Sequence, residues 1–234
     1  DKVPRNITLT ILKNRNGRTG KRINYLYDPR FNYFEEDDYY KKGYKNICGI
    51  DEVGRGCLFG DVVSCAIIMP KGDYIEGVND SKKLTPKKRE ELYTKILESC
   101  VAVGIGRADA DIIDKVNIKM ATHISMINAL ENLKDSEGKK VEADCVLIDA
   151  ETIKTGIFQK AIIKGDESCY SIACASIIAK VYRDNLCKRW AEKYPNYGIE
   201  KHKGYATKYH REALKTYGPS DMHRKTFLKN IKLW

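Results

Sequence analysis

The stretch from Asn46 to Gly56 constrains this chain more than any other. Its first half is an apolar run of strand character, Ile47 to Ile50, and it ends in two adjacent acids, Asp51 and Glu52. Side by side at the end of a buried strand, two carboxylates repel each other and resist leaving water, so they require a counter-charge. Gly54 and Gly56 then flank Arg55. Glycine permits positive φ or close approach to a ligand, and its amides can face an anion. Carboxylates that attract metal, next to amides that suit phosphate, point to metal-assisted chemistry on a phosphoester.

Two later stretches have the same form. Cys145 to Ile148 is a short apolar run ending at Asp149, and Ala161 to Ile163 leads through Lys164 and Gly165 to Asp166. If these strands are neighbours, four acids converge at one edge of a sheet. Only bound cations would keep all four ionised; otherwise one pKa must rise sharply. Hard, oxygen-seeking ions, Mg²⁺ or Mn²⁺, suit such a donor set. Two of them can activate a water and stabilise a leaving oxygen in an in-line displacement at phosphorus. Taken singly, each acid reads more readily as a loop residue or helix cap, and Asp166 could cap the helix that follows it.

The remaining pattern gives these acids a setting. Residues 7–12 and 22–27 alternate like strands about Asn16 and Gly17, a basic hairpin. Residues 31–42 read as a short acidic helix ended by Gly43. Further strands are expected over 46–52, 61–69 and 101–108. Thr85 and Pro86 open a helix over 87–99, a helical turn follows at 109–114, and longer helices cover 117–133 and 171–194. Three strands in a row, then strands alternating with helices, predict a mixed α/β sheet flanked by helices.

Charge is unevenly spread along the chain, whose net value is +10. Residues 1–30 hold eight Lys/Arg against two Asp/Glu, residues 180–234 hold fourteen against five, and the middle is net acidic. An acidic centre between basic ends fits a carboxylate site served by a phosphate-binding surface, although a charge run alone is as readily a solvated face. No apolar run approaches the ~18 residues that span a membrane. With no apolar leader after Asp1, a cytoplasmic protein is expected. The eight cysteines lie mostly in apolar runs without a C-x-x-C pair, so they read as small buried hydrophobes rather than disulfides, zinc ligands or nucleophiles.

Six ordered motifs carry a resemblance. They are Gly49 to Gly56, Asp80-Ser81-Lys82-Lys83-Leu84, Leu147-Ile148-Asp149, Lys164-Gly165-Asp166, Ser171 to Lys180, and His202-Lys203-Gly204-Tyr205. With the tail Tyr217-Gly218-Pro219-Ser220 and His223-Arg224, they closely resemble ribonuclease HII, from about Tyr40 to about Phe227. The resemblance implies a ribonuclease H-like mixed five-stranded sheet flanked by helices, with a helical C-terminal part. It implies hydrolysis of the RNA strand of RNA–DNA hybrids and cleavage 5′ to single ribonucleotides in duplex DNA, leaving 3′-hydroxyl and 5′-phosphate ends. By motif position, Asp51, Glu52, Asp149 and Asp166 become the catalytic acids and ligands of Mg²⁺ or Mn²⁺. Gly54, Arg55 and Gly56 would grip the backbone around the 2′-hydroxyl, and Tyr205 would pack on the following sugar. The expected partners are RNA–DNA hybrid and ribonucleotide-containing duplex DNA, with no membrane, and the expected state is a monomer.

Residues 31–234 would form the catalytic domain, including the helical substrate-binding part, and residues 1–30 a basic extension, either a nucleic-acid contact or a flexible arm. Asp184 reads as structural, whereas Lys180 and Arg183 could reach phosphate or solvate their helix. Cys57 stands where the family usually has Pro, Phe59 where it has a small residue, Asp61 where a second Pro is common, and Ala150 and Ala206 where Gly is usual. The nearest rival is ribonuclease HIII, which attacks hybrids but cuts single ribonucleotides poorly. Arg55, Tyr205 and the short N-terminal extension disfavour it. A hybrid-binding protein without catalysis leaves the four acids without a purpose, and so does a basic nucleoid protein.

Overall fold

The computed structural model describes residues 5–10, 22–27 and 35–229. Strands β1 (Arg5–Thr10) and β2 (Arg22–Tyr27) pair antiparallel, with Arg5 opposite Tyr27. Both arms of the expected hairpin are present, the first starting two residues earlier than expected, and the Asn16–Gly17 turn lies outside the described residues. Helix α1 (Glu35–Lys41) follows.

The central sheet is built from β3 (Ile47–Val53), β4 (Val62–Ile68), β5 (Ala102–Ala108), β6 (Cys145–Asp149) and β7 (Phe158–Ile162). Its spatial order is β5-β4-β3-β6-β7. The first three strands form an antiparallel meander, whereas β6 runs parallel to β3 and β7 parallel to β6. A parallel neighbour requires a crossover, and the chain between β5 and β6 supplies it. Helix α2 (Pro86–Ser99) precedes β5, and α3 (Ala110–Val116) and α4 (Ile118–Glu131) follow it. After β7 come α5 (Gly165–Ser168), α6 (Tyr170–Lys193), α7 (Ile199–His202), α8 (Lys208–Tyr217) and α9 (Lys225–Leu228).

Strands β3 and β4 read as continuous apolar runs because helices cover both faces of the sheet. Alternate residues part to opposite sides. Cys65 and Ile67 pack with Leu92 and Ile96 of α2 and Ala173 and Ile177 of α6, whereas Cys48, Ile50, Ala66 and Ile68 pack with Met126 and Ala129 of α4. Helix α6 lies directly on β3 because Gly49 has no side chain. A Cβ there would stand 2.3 Å from the Ser171 carbonyl carbon. Strand β7 is different: its residues alternate between exposed and partly covered. Only its end is apolar enough to be seen in the sequence, which is why the expected strand at 161–163 is shorter and later than the observed one.

Two further contacts position the site. Glu36 of α1 accepts hydrogen bonds from the Ser171 amide at 2.5 Å and the Cys169 thiol at 3.1 Å, capping the start of α6. Burial nevertheless pushes its carboxyl pKa up. Phe59 enters an aromatic cluster with Trp190, Tyr194 and His223, joining the loop after β3 to the helical C-terminal part. All eight cysteines are free thiols, seven of them buried. Among the described residues, no helix is long and apolar enough to cross a membrane.

Candidate active site

Strand register sets the acids side by side. Parallel pairing puts Ile50 of β3 opposite Ile148 of β6, so the next residues, Asp51 and Asp149, stand on adjacent strands at the same sheet edge. Asp149 pairs in turn with Ile162 of β7. The chain then turns through Lys164 in the left-handed region, at φ 55°, and Asp166 appears in the first turn of α5. Asp166 is therefore delivered by a helical turn instead of directly by a strand end. It does not cap α6, which starts after Cys169. The Gly165 amide donates to Asp149 Oδ1 at 2.8 Å and ties this turn to β6.

The acids carry more negative charge than their surroundings offset. Burial, and then Glu52 and Asp149, push Asp51 well above the usual carboxylate range, with the Ser176 hydroxyl and the Glu52 amide opposing only in part. Burial also raises Glu52, although Arg55 lies 3.3 Å away. Asp166 is raised by burial and by the charges of Asp80 and Asp149, against Lys82 at 3.7 Å. Among the described residues, the buried Glu52 Oε2 accepts no hydrogen bond, an orphaned oxygen of a kind that proteins seldom leave unpaired. Among the described residues, no three acidic, histidine or cysteine side chains already close on one point to hold a metal. Four hard oxygen donors, surplus negative charge and an unpaired buried carboxylate oxygen fit a divalent oxygen-seeking cation.

The glycine loop borders this edge. Gly54 sits at φ 95°, and a Cβ on it would lie 2.3 Å from Arg183 Nε, so the position excludes any side chain. The Arg55 guanidinium bridges Glu52 at 3.3 Å and Glu151 at 3.4 Å, and Glu151 in turn meets His123 Nε2 at 3.2 Å. Partial burial opposes ionisation of Glu151, but the His123 hydrogen bond and the charges of Lys119 and Arg55 outweigh it and hold its pKa low. Tyr205 is 44% exposed, and its Cε1 lies 3.8 Å from where a Gly56 Cβ would stand. The Cys57 thiol donates to the Lys203 carbonyl at 3.3 Å, two residues before Tyr205.

All eight residues singled out in the sequence thus fall on one contiguous border: the four acids, then Gly54, Arg55 and Gly56, then Tyr205. Arg183 corrects an expectation. It reaches neither solvent nor a phosphate surface. It is fully buried and donates to the main-chain carbonyls of Phe59, Asp61 and Lys203. Lys180 is paired with Asp184 at 2.7 Å along α6, in keeping with a structural Asp184. Glu151 and His123 were not visible in the sequence as neighbours of the site. Only the position of Glu151, two residues after Asp149, hinted at it. Three unusual residues acquire partners or a cost. Asp61 pairs with Arg107 at 2.6 Å, Phe59 fills the aromatic cluster, and Ala150 adopts φ 49°, a left-handed conformation that favours glycine.

Comparison with known proteins bears on this arrangement. A family model described as Ribonuclease HII matches residues 48–230. A ribonuclease HII of Alkaliphilus oremlandii is 57% identical over 196 residues, covering 84% of this chain and 97% of that protein. The structure of the PCNA:RNase HII complex from Archaeoglobus fulgidus superposes with a TM-score of 0.66 at 26% identity, covering 80% of this chain and 96% of that one. A structure of Bst-RNase HIII in complex with Mn²⁺ shares the fold, at 16% identity and a TM-score of 0.56 over 80% of this chain and 70% of that one.

Proposed function

The chain belongs to the ribonuclease HII family of endoribonucleases that act on RNA–DNA hybrids, and from that premise we propose that it also cuts 5′ to single ribonucleotides in duplex DNA. It would leave 3′-hydroxyl and 5′-phosphate ends, work as a monomer, and serve ribonucleotide removal from DNA. The reading divides the chain into a basic extension, residues 1–30, and a catalytic domain from residue 31.

The observation that carries this reading is the adjacency of Asp51 and Asp149 in the β3–β6 register, with the orphaned Glu52 oxygen beside them. Enzymes of this family depend on divalent metal, and Asp51, Glu52, Asp149 and Asp166 would hold Mg²⁺ or Mn²⁺ here. When bound, two such ions supply activation of the attacking water and charge stabilisation of the leaving oxygen. The chain's own residues do the rest. Among the described residues, Glu52 keeps one oxygen without a hydrogen-bond partner, ready for a ligand without first breaking a hydrogen bond. Lys82 sets a positive charge beside Asp166 at the border of the acid cluster.

Recognition falls to the loop after β3. Gly54, Arg55 and Gly56 offer main-chain donors that can meet a 2′-hydroxyl whatever the base, which is how a protein distinguishes RNA from DNA at one position. Tyr205, half-exposed and next to Gly56, offers an aromatic face to the sugar that follows. The basic C-terminal part supplies phosphate contacts, which act without regard to sequence and weaken with salt.

The amide variants Asp51→Asn, Glu52→Gln, Asp149→Asn and Asp166→Asn test the assignment. Each is expected to lose nearly all hybrid cleavage while still binding the hybrid. A variant with unchanged turnover would remove that residue from the site.

A further inference from the structure

Arg224 approaches the glycine loop from the segment after α8 and is fully buried. Its guanidinium donates to the carbonyls of Gly54 at 2.8 Å, Arg55 at 2.8 Å and Gly60 at 2.7 and 2.9 Å. Burial lowers its pKa to about 10, so it remains a cation at neutral pH. A buried guanidinium that spends its donors on main-chain carbonyls fixes peptide planes, because these acceptors cannot move without the backbone.

Peptide geometry then says where the other side of each plane faces. In a trans peptide the carbonyl of one residue and the amide of the next point in opposite directions. With the Gly54 and Arg55 carbonyls turned inward to Arg224, the amides of Arg55 and Gly56 are turned away from it. That side is open: Arg55 is half-buried and Gly56 exposed, and Tyr205 stands beside Gly56. Among the described residues, neither amide donates a hydrogen bond. Arg183 repeats the device one step along. It holds the carbonyls of Phe59 and Asp61, and that of Lys203 at 2.9 Å, two residues before Tyr205.

We propose that Arg224 is a positioning residue for ribonucleotide recognition, which holds the Arg55 and Gly56 amides outward as paired donors and so sets discrimination of ribose from deoxyribose without touching either. This rests on the reading that the glycine loop meets the 2′-hydroxyl. A lysine at this position would keep the charge but could not reach all three carbonyls from one ammonium.

The test compares Arg224→Lys and Arg224→Gln with the wild-type chain. Each is measured, without divalent metal to prevent cleavage, for binding to a duplex carrying one ribonucleotide and to the same duplex in all-deoxy form. Wild type should bind the ribonucleotide duplex several-fold more tightly, and both variants should lose most of that ratio. In Mg²⁺ the variants should show a raised KM for the ribonucleotide duplex with a smaller change in kcat, and their Mn²⁺ affinity should match wild type. Folded variants that keep the wild-type ratio would overturn the proposal. So would a wild type that shows no ratio, an outcome that would also sink the 2′-hydroxyl reading of the loop. If neither variant folds, the wild-type amide resonances decide the matter. Arg55 and Gly56 should shift with the ribonucleotide duplex and not with its deoxy counterpart, and equal shifts would refute the assignment.

Discussion

Arg55 Nη1 lies 3.3 Å from Glu52 Oε1, so the arginine of the glycine loop is also the counter-charge of a proposed metal-binding acid. It shares itself with Glu151, at 3.4 Å. A cation that binds Glu52 at its unpaired oxygen therefore meets the charge of Arg55, and Glu151 is where the guanidinium can stay. Replacing Glu151 with Gln would leave Arg55 to Glu52 alone. Divalent-cation affinity, measured by Mn²⁺ titration, should fall several-fold in Glu151→Gln. In an Arg55→Ala background the same substitution should have little effect, since the competitor is gone. An equal loss in both backgrounds would mean that Glu151 acts only through its charge.

Asp51 is expected to destabilise the metal-free protein at neutral pH. Its folded-state pKa is raised by burial and by Glu52 and Asp149, so the folded state holds a proton that the unfolded chain has released. Stability from that proton is fully present below the ordinary carboxylate range and is lost as pH rises through the raised value. Asp51→Asn removes this dependence. Its melting temperature should match that of wild type in acid and exceed it increasingly toward neutral pH. Saturating Mg²⁺ should raise wild type far more than the variant. A variant that melts below wild type at neutral pH without metal would contradict the burial and charge repulsion assigned to Asp51.

The histidines behind Tyr205 form a chain with one direction. The Ser220 amide donates to His223 Nδ1 at 2.9 Å, which leaves His223 Nε2–H to donate to His210 Nε2 at 3.1 Å. His210 Nδ1–H then donates to the Tyr205 carbonyl at 2.9 Å. Both rings must be neutral, and burial lowers their pKa values to about 4 for His210 and about 3 for His223. Stability that depends on these neutral rings is present above the unfolded value of about 6.5 and is lost as pH falls toward 4. Nitrogen NMR at neutral pH should find His210 protonated at Nδ1 and His223 at Nε2. The opposite tautomers would break the chain.

How much of this was legible beforehand differs from residue to residue, for physical reasons. Asp51, Glu52 and Asp149 each follow an apolar run of strand character, so a common edge was legible on the condition that the strands are neighbours, which only the β3–β6 register supplies. Asp166 was legible as an acid but not as a helical one, because the left-handed turn at Lys164 carries no strong residue signal. Strand β7 was half hidden because a solvent-facing edge strand need not be apolar. Arg183 and Arg224 could not be read at all as anchors. Their partners are main-chain carbonyls, which every residue has, and nothing nearby in the sequence distinguishes a buried guanidinium from a surface one. The same holds for Glu36, whose partner, the Ser171 amide, lies 135 residues away.

The most direct measurement uses an end-labelled DNA duplex carrying one ribonucleotide, incubated with the protein and Mg²⁺ or Mn²⁺ beside a full RNA–DNA hybrid. The expected result is cleavage of both, with the single-ribonucleotide duplex cut once, immediately 5′ to the ribonucleotide, leaving a 3′-hydroxyl and a 5′-phosphate. A hybrid that is cleaved while the single-ribonucleotide duplex stays intact would contradict the reading of Gly54, Arg55, Gly56 and Tyr205 as a sensor of one 2′-hydroxyl.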